Sequence, residues 1–221
     1  MPTIAITEAN LDISDIERQF KLKRNDDPLF FSEWHLDLSP LSPEEIAYCD
    51  RIKRSYLHNR FQGIQDSATK SAINLLVISP LLYLAGCLEP PYKVRTEQPV
   101  EIAVTDQDLD QDVIYKGRID TLVIQEESQN KTYEQLWIVV IESKRPKLNF
   151  FEAVPQALTY MMASPNGDLA TYAIATNGDG FIFIKRQGHE YAFSSDFSMF
   201  SQPNNQLYVV LQILKKITAN F

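Results

Sequence analysis

Cysteine and histidine are scarce in this 221-residue chain, with two of the first, Cys49 and Cys87, and three of the second. Neither type recurs at metal-ligand spacing, which speaks against a zinc site and against a His- or Cys-based nucleophile. Two cysteines in helix-like segments also speak against a disulfide framework and for a reducing, cytoplasmic setting. The chain has no run of eighteen apolar residues, and no basic stretch followed by an apolar one near its N-terminus. The expectation is a protein that neither crosses a membrane nor carries a leader. The pattern GxxxxGK[ST] is missing, so no ATP-binding motor is expected in this chain. Positive charge is short as well: 21 Lys and Arg against 29 Asp and Glu give a net charge of −8. A protein that coats nucleic acid by bulk electrostatics needs the opposite balance, so any nucleic-acid contact is expected to be local.

What is present suits one sizeable α/β domain with an N-terminal extension, and 44% apolar residues is ordinary for a globular protein. The first forty residues are mixed, with a short helix expected near Ile13 to Phe20 and aromatic residues at Phe30, Phe31 and Trp34. Ser42-Pro43-Glu44-Glu45 has the form of a capping box with proline at the first helical position, so a helix is expected from there to about Arg60. Its Arg51, Lys53, Arg54, His58 and Arg60 form the densest basic stretch of the chain, which reads either as a solvated face or as a local nucleic-acid contact. Apolar residues at helical spacing predict a second helix from Ser67 to about Ala85, bent or divided at Pro80 and stopped by Gly86. Beyond Pro90-Pro91 the period changes. Strands are expected over Tyr92 to Val104, with an irregularity near Pro99, then over Lys116 to Gln125 and Gln135 to Ser143. The hydrophilic "EESQNKTYE" between the last two reads as a loop or hairpin tip. A helix over Phe150 to Met162 must start late or kink at Pro155. Thr171 to Thr176 and Phe181 to Arg186 flank "NGDG", a hairpin signal, and Asn205 to Ile217 reads as a closing helix.

The chemistry concentrates where apolar strands meet charge. "GRIDTLVI", Gly117 to Ile124, sets Asp120 into a strand-like run, and "LWIVVIESKRP" closes its own run with Glu142 and Lys144. Burying a carboxylate without a partner costs several kcal/mol. Were the two strands neighbours, Asp120 could lie beside Glu142, and a divalent cation would relieve their repulsion. Magnesium suits one or two carboxylates, several waters and a phosphate oxygen, while a lysine two residues on could hold a water or a phosphate. The plainer alternative is an ion pair of Lys144 with either acid on a solvated edge. Gln156 and Tyr160, four apart, share a helical face.

These residues resemble the pattern of the PD-(D/E)xK nuclease superfamily, and more narrowly the N-terminal endonuclease domain of type I restriction enzyme R subunits. The resemblance runs from about Ser67 to Arg186 through "ISPLLYLAG", "GRIDTLVI", "IESKRP", "EAVPQALTYM" and "YAIATNGDGFIFI". It implies a restriction-endonuclease-like α/β fold, a central mixed β-sheet flanked by helices, over 67–221, with a partly helical extension over 1–66. It implies a magnesium-dependent DNA phosphodiesterase, manganese being a substitute, and it is compatible with a homodimer. By position, the metal-binding acids fall on Asp120 and Glu142, the catalytic lysine on Lys144, and the Gln-x-x-x-Tyr motif on Gln156 and Tyr160. Arg145 and Lys147 would join Lys144 in a local DNA-binding patch. The resemblance breaks at one place: members often carry a Glu on the first core helix as a further ligand, and no acidic residue lies between Ser67 and Cys87. Glu97 or Glu101 on the following strand could stand in for it. A catalytically quiet member of the same fold, serving as a binding or interaction module, is the alternative expectation, and a structural partner protein is a third.

Overall fold

A computed structural model describes residues 2–9, 12–61, 70–106, 111–126, 134–142, 150–165 and 167–219; for 106, 111, 126, 134–142, 150 and 152 the description is of the backbone alone. The protein is a mixed α/β structure built on one eight-stranded sheet. Its strands are β1 (Thr3–Ala5), β2 (Lys23–Arg24), β3 (Tyr92–Asp106), β4 (Gln111–Glu126), β5 (Glu134–Glu142), β6 (Thr171–Thr176), β7 (Gly180–Gln187) and β8 (Glu190–Ser198). They run in the order β1-β4-β5-β6-β7-β8-β2, with β3 on the other edge of β4. Pairs β3/β4 and β4/β5 are antiparallel, β5/β6 is parallel, and β6/β7 and β7/β8 are antiparallel again. The parallel pair needs a crossover, and the helix α5 (Val154–Met161) lies within it.

Helices cover both faces. On one lie α2 (Pro43–Phe61), the segment α3 (Lys70–Ile73) to α4 (Ser79–Leu84), and α6 (Leu207–Ala219), packed through Ile52, Tyr56, Ile73, Val77, Leu81 and Leu211 against Val123, Ile174 and Phe183. On the other lie α1 (Ile13–Phe20) and α5, through Ile16, Phe20, Ala157, Leu158 and Tyr160 against Ile119, Leu122 and Ile184. The expected capping box forms, since Ser42 N donates to Glu45 Oε2 at 2.7 Å and Glu45 N to Ser42 Oγ at 3.2 Å. Pro80 divides its helix as expected: the backbone passes through a π-helical turn, Asn74–Ile78, and restarts as α4 with the proline in its first turn. Proline has no N–H to give the preceding turn, so the ladder rearranges one turn earlier. Gly86, at φ +78°, stops it.

The sequence reading differs from the structure in three places. It passes over β8, and it passes over β1 and β2, whose three and two residues pair with β4 and β8 at the two ends of the path. The irregularity expected near Pro99 is there, two residues before it at Glu97, φ +52°, while Pro99 itself pairs with Arg118. β4 also begins five residues before Lys116. The extension is tied to the sheet by side chains too: buried Glu33 accepts from Tyr172 Oη and from Lys185 Nζ, each at 2.7 Å. Of the loop "EESQNKTYE", 126–134, the end residues Glu126 and Glu134 pair with each other and 127–133 lie outside the described residues.

Candidate functional site

Strand β4 changes partners halfway. On one edge it pairs with β1 through Lys116 and with β5 from Thr121, so among the described residues Gly117 to Asp120 have no strand ladder on that edge. The gap is filled by a side chain. Tyr160 of α5 is fully buried, and its hydroxyl accepts from Arg118 N at 3.1 Å, taking the place of a strand carbonyl. Gly117 makes this approach possible, because a Cβ there would stand 2.5 Å from Tyr160 Oη. Gln156, one turn before Tyr160, is half-buried and donates to the same oxygen at 3.4 Å. Burial raises the phenol's pKa, the hydrogen bonds from Gln156 and Arg118 N oppose the rise, and the nearby charges of Asp120 and Glu97 add to it.

On the other edge the ladder skips Glu97 and Asp120, with Glu97 in the left-handed region. The register is the same on both sides of this point, so no residue is inserted; the left-handed turn at Glu97 interrupts the ladder and changes the face that neighbouring side chains take. Its effect is visible in the core: Ile119 and Leu122 enter the same apolar cluster although they are three residues apart, where strict alternation puts even separations on one face. Between them Asp120 and Thr121 both turn toward the α3 segment. Thr121 Oγ1 accepts from Asn74 Nδ2 at 2.8 Å, Asn74 Oδ1 accepts from Ser79 Oγ at 2.7 Å, and Lys70 Nζ donates to both oxygens of Asp120 at 2.6 Å. Asp120, Glu97, Thr96, Lys70, Ser71 and Asn74 line an open cleft of about 300 Å³. The Asp120 side chain is 10% exposed and that of Lys70 27%.

The neighbouring strand ends bring further residues to this end of the sheet. With Thr121 opposite Val140, Glu142 lies two residues past the last β4/β5 pair, and it pairs with Thr176 of β6. The Glu142 side chain, and Lys144, Arg145 and Lys147 altogether, lie outside the described residues. The turn after Thr176 holds Asp179, which accepts from Tyr56 Oη at 2.7 Å and from Arg60 Nε and Nη2 at 3.2 Å each. Burial, and then the hydrogen bond to Asp179, push the Tyr56 hydroxyl well above its ordinary pKa, while Asp179 raises that of Arg60. Tyr56 Oη would stand 2.5 Å from a Cβ on Gly178, which sits at φ +83°. The C-terminal end of α2 is thereby pinned beside the ends of β5 and β6.

The cleft therefore joins Asp120 to Glu97, one of the two acids named as substitutes for the missing helical Glu. Glu101 is elsewhere, exposed and paired with Lys116 at 2.7 Å. Among the described residues no group of three or more His, Cys, Asp or Glu side chains could hold a metal ion. Sequence reasoning noted the missing acid on the first core helix but passed over Lys70, the only charged residue between Ser67 and Cys87. A lone charge in an otherwise apolar and small-residue helix was the available signal. Asp179 was read as hairpin chemistry only, and nothing local marks it as an anchor for Arg60, 119 positions away.

No family model and no curated protein matches the chain. Among solved structures, one described as "Crystal structure of SSO0001" is similar over 86% of this chain and 84% of that one, at 14% identity and a TM-score of 0.26, a value too low to carry an argument about fold or function. Among the described residues no helix is long and apolar enough to cross a membrane.

Proposed function

We propose that the chain is a restriction-endonuclease-like protein that hydrolyses DNA phosphodiester bonds with magnesium, or manganese in its place. The observation that carries this reading is the setting of Asp120. Breaks in strand pairing on both edges of β4 turn its carboxylate into an open cleft, where both oxygens hold a cationic group and a second carboxylate, Glu97, stands on the same wall. The element order supports it: a helix, three antiparallel strands with Asp120 on the second and Glu142 ending the third, a helix with Gln156 and Tyr160, then a strand parallel to the third.

The donor set fits magnesium, which takes carboxylate oxygens and keeps several waters. Asp120 and Glu142 would hold the ion, and Glu97 lines the same cleft as Asp120. The ion would supply charge neutralisation at the scissile phosphate and a nucleophile at neutral pH. The chain's own part is positional. Tyr160 and Gly117 hold the strand end that presents Asp120, Gln156 is bound to that same hydroxyl and would be a substrate contact, and Lys144 would hold the attacking water or a phosphate oxygen. Lys70, now on Asp120, would supply an ammonium to the substrate phosphate, and Arg145 and Lys147 would add phosphate contacts.

One observation favours a second reading. An ammonium 2.6 Å from both carboxylate oxygens already neutralises Asp120, as a catalytically quiet member of the fold would have it. Cleavage of a labelled duplex and of a single strand, with and without magnesium, separates the two. Magnesium-dependent cleavage lost in Asp120→Asn and in Lys144→Ala is the expected result. Wild-type protein that binds DNA without cutting any form under any divalent metal is the quiet member.

A further inference from the structure

The basic stretch of α2 resolves into two sets. Lys53 and Arg60 are taken by the protein, Lys53 Nζ donating to Ser201 O at 2.7 Å and Arg60 to Asp179. Arg51, Arg54 and His58 are exposed. Their spacing of three and then four residues puts them in one stripe along the helix, and three residues further the stripe ends on Phe61. Phe61 is 71% exposed, and its ring lies 6.0 Å from that of Phe200, itself 44% exposed. Two large apolar rings left in water beside a row of cations are not explained by packing, since burial is what such rings ordinarily supply to a fold. No acid lies on α2 from Arg51 onward. Asp50 is occupied on α6's side, accepting from Tyr208 Oη at 2.6 Å and from Asn205 Nδ2 at 3.0 Å.

The direction of the stripe matters as much as its charge. Its aromatic end is the end of α2 that Tyr56 and Arg60 fasten to Asp179, in the turn after Thr176, the register partner of Glu142. Lys70, bound to Asp120, opens the next described helix. From Arg51 to Phe61 the stripe is about 15 Å long at 1.5 Å per residue, and a nucleic-acid strand carries one phosphate per about 3.4 Å of helix axis, so it spans roughly four phosphates. Cations tracking a backbone with an aromatic platform at one end are the arrangement that binds unpaired strands, because every base has a face to stack.

We propose that the Arg51–Arg54–His58 stripe and the Phe61–Phe200 pair bind a single DNA strand and lead it toward the Asp120 cleft. This rests on the nuclease reading for the identity of the strand. The stripe would hold the phosphates and one unpaired base would stack on the rings. The overall charge of −8 makes the contact local and steeply dependent on salt.

The test is fluorescence anisotropy of labelled single-stranded and duplex DNA across a range of salt, in EDTA, so that binding is read without cleavage. The proteins are wild type, Arg51→Ala/Arg54→Ala, Phe61→Ala and Asp120→Asn, each with its melting temperature recorded; all the stripe positions are exposed, so the fold is expected to hold. Losing two phosphate contacts should lower the slope of log affinity against log salt by about 1.4 on single strands. Phe61→Ala should weaken single-strand binding about tenfold and duplex binding little. Asp120→Asn, which takes a negative charge out of the cleft and releases Lys70, should bind single strands at least as tightly as wild type. Unchanged slope in the arginine variant, unchanged single-strand affinity in Phe61→Ala, or wild type that binds no DNA would each overturn the proposal. Failure of the nuclease reading shows separately, as absence of magnesium-dependent cleavage by a protein that still binds DNA through the stripe.

Discussion

At the scale of single residues, the site depends on a glycine and a tyrosine more than on its charges. Tyr160 Oη fits against β4 because Gly117 has no Cβ, and a methyl there would meet the oxygen at 2.5 Å and Cε1 at 2.8 Å. The ring is fully buried and has nowhere to go, so Gly117→Ala is expected to destabilise the protein by about 1–3 kcal/mol. Tyr160→Phe removes the acceptor for Arg118 N and the partner of Gln156, at a cost of about 1–2 kcal/mol. Because the substituted ring lacks the nearest of the clashing atoms, though it keeps Cε1, the double variant should lose less than the sum, and strict additivity in urea melts would show that the two residues do not meet. The motif Gln-x-x-x-Tyr was legible in the sequence, as was the acid in "GRIDTLVI". The partners were not: an i,i+4 spacing marks a shared face, but which strand edge that face meets is decided by the gap between β1 and β5, a tertiary fact.

At the scale of elements, α2 is held at its end by a carboxylate that the sequence spends on a hairpin. Tyr56, 1% exposed, has its hydroxyl on Asp179, and Arg60 adds two more bonds to the same group. Asp179→Ala strands a buried hydroxyl and a half-buried guanidinium, so a loss of about 2–3 kcal/mol is expected, whereas Asp179→Asn should recover part of it. A change within 0.5 kcal/mol for the alanine variant, taken as roughly the noise of an exposed substitution, would mean α2 is not anchored there. Helices and strands with strong periodicity were readable: α1, α2, α5, β6, β7 and α6 fall where apolar spacing and caps put them. β1 and β2 are too short to have a period, and exist because β4 and β8 offer open edges. β8 was hidden by Ser194, Ser195 and Asp196 in its middle, which break the alternation that its Tyr191, Phe193 and Phe197 would otherwise show. The π-helical turn before Pro80 is likewise a packing solution, with Asn74 reaching Thr121 from inside it.

At the scale of the whole molecule, the buried titratable groups set how the fold responds to alkali. Burial pushes the thiols of Cys49 and Cys87 up to about 12 from 9.0, and raises the hydroxyls of Tyr56, Tyr172 and Tyr191 above 10.0, helped by hydrogen bonds to Asp179, Glu33 and Glu17. In each case the folded protein holds its proton more tightly than the unfolded chain. Their contribution is therefore fully present below the unfolded values, and is lost as pH rises through and beyond them toward the folded values. Stability measured by denaturant midpoint should be flat to about pH 8.5 and fall progressively above pH 9, with a steeper fall once tyrosines ionise in the unfolded chain near pH 10. A midpoint that holds to pH 11 would contradict the burial of these groups. That the chain is α/β was legible from the alternation of periods along it, and a mixed sheet between helices was what the resemblance implied. That the first 66 residues supply both an edge strand and the Glu33–Lys185 pair was not, since neither leaves a local pattern.

The proposed nuclease requires that a divalent cation compete with Lys70 for Asp120. Calorimetric titration of magnesium, and of manganese, into wild type, Asp120→Asn and Lys70→Ala tests it most directly, because binding is read whether or not the protein cuts DNA. An ammonium cannot ligate a metal and repels it, so Lys70→Ala is expected to bind metal about tenfold more tightly than wild type, and Asp120→Asn to bind it weakly or not at all. Equal affinity in all three proteins, or metal binding that Lys70→Ala alone abolishes, would contradict the account.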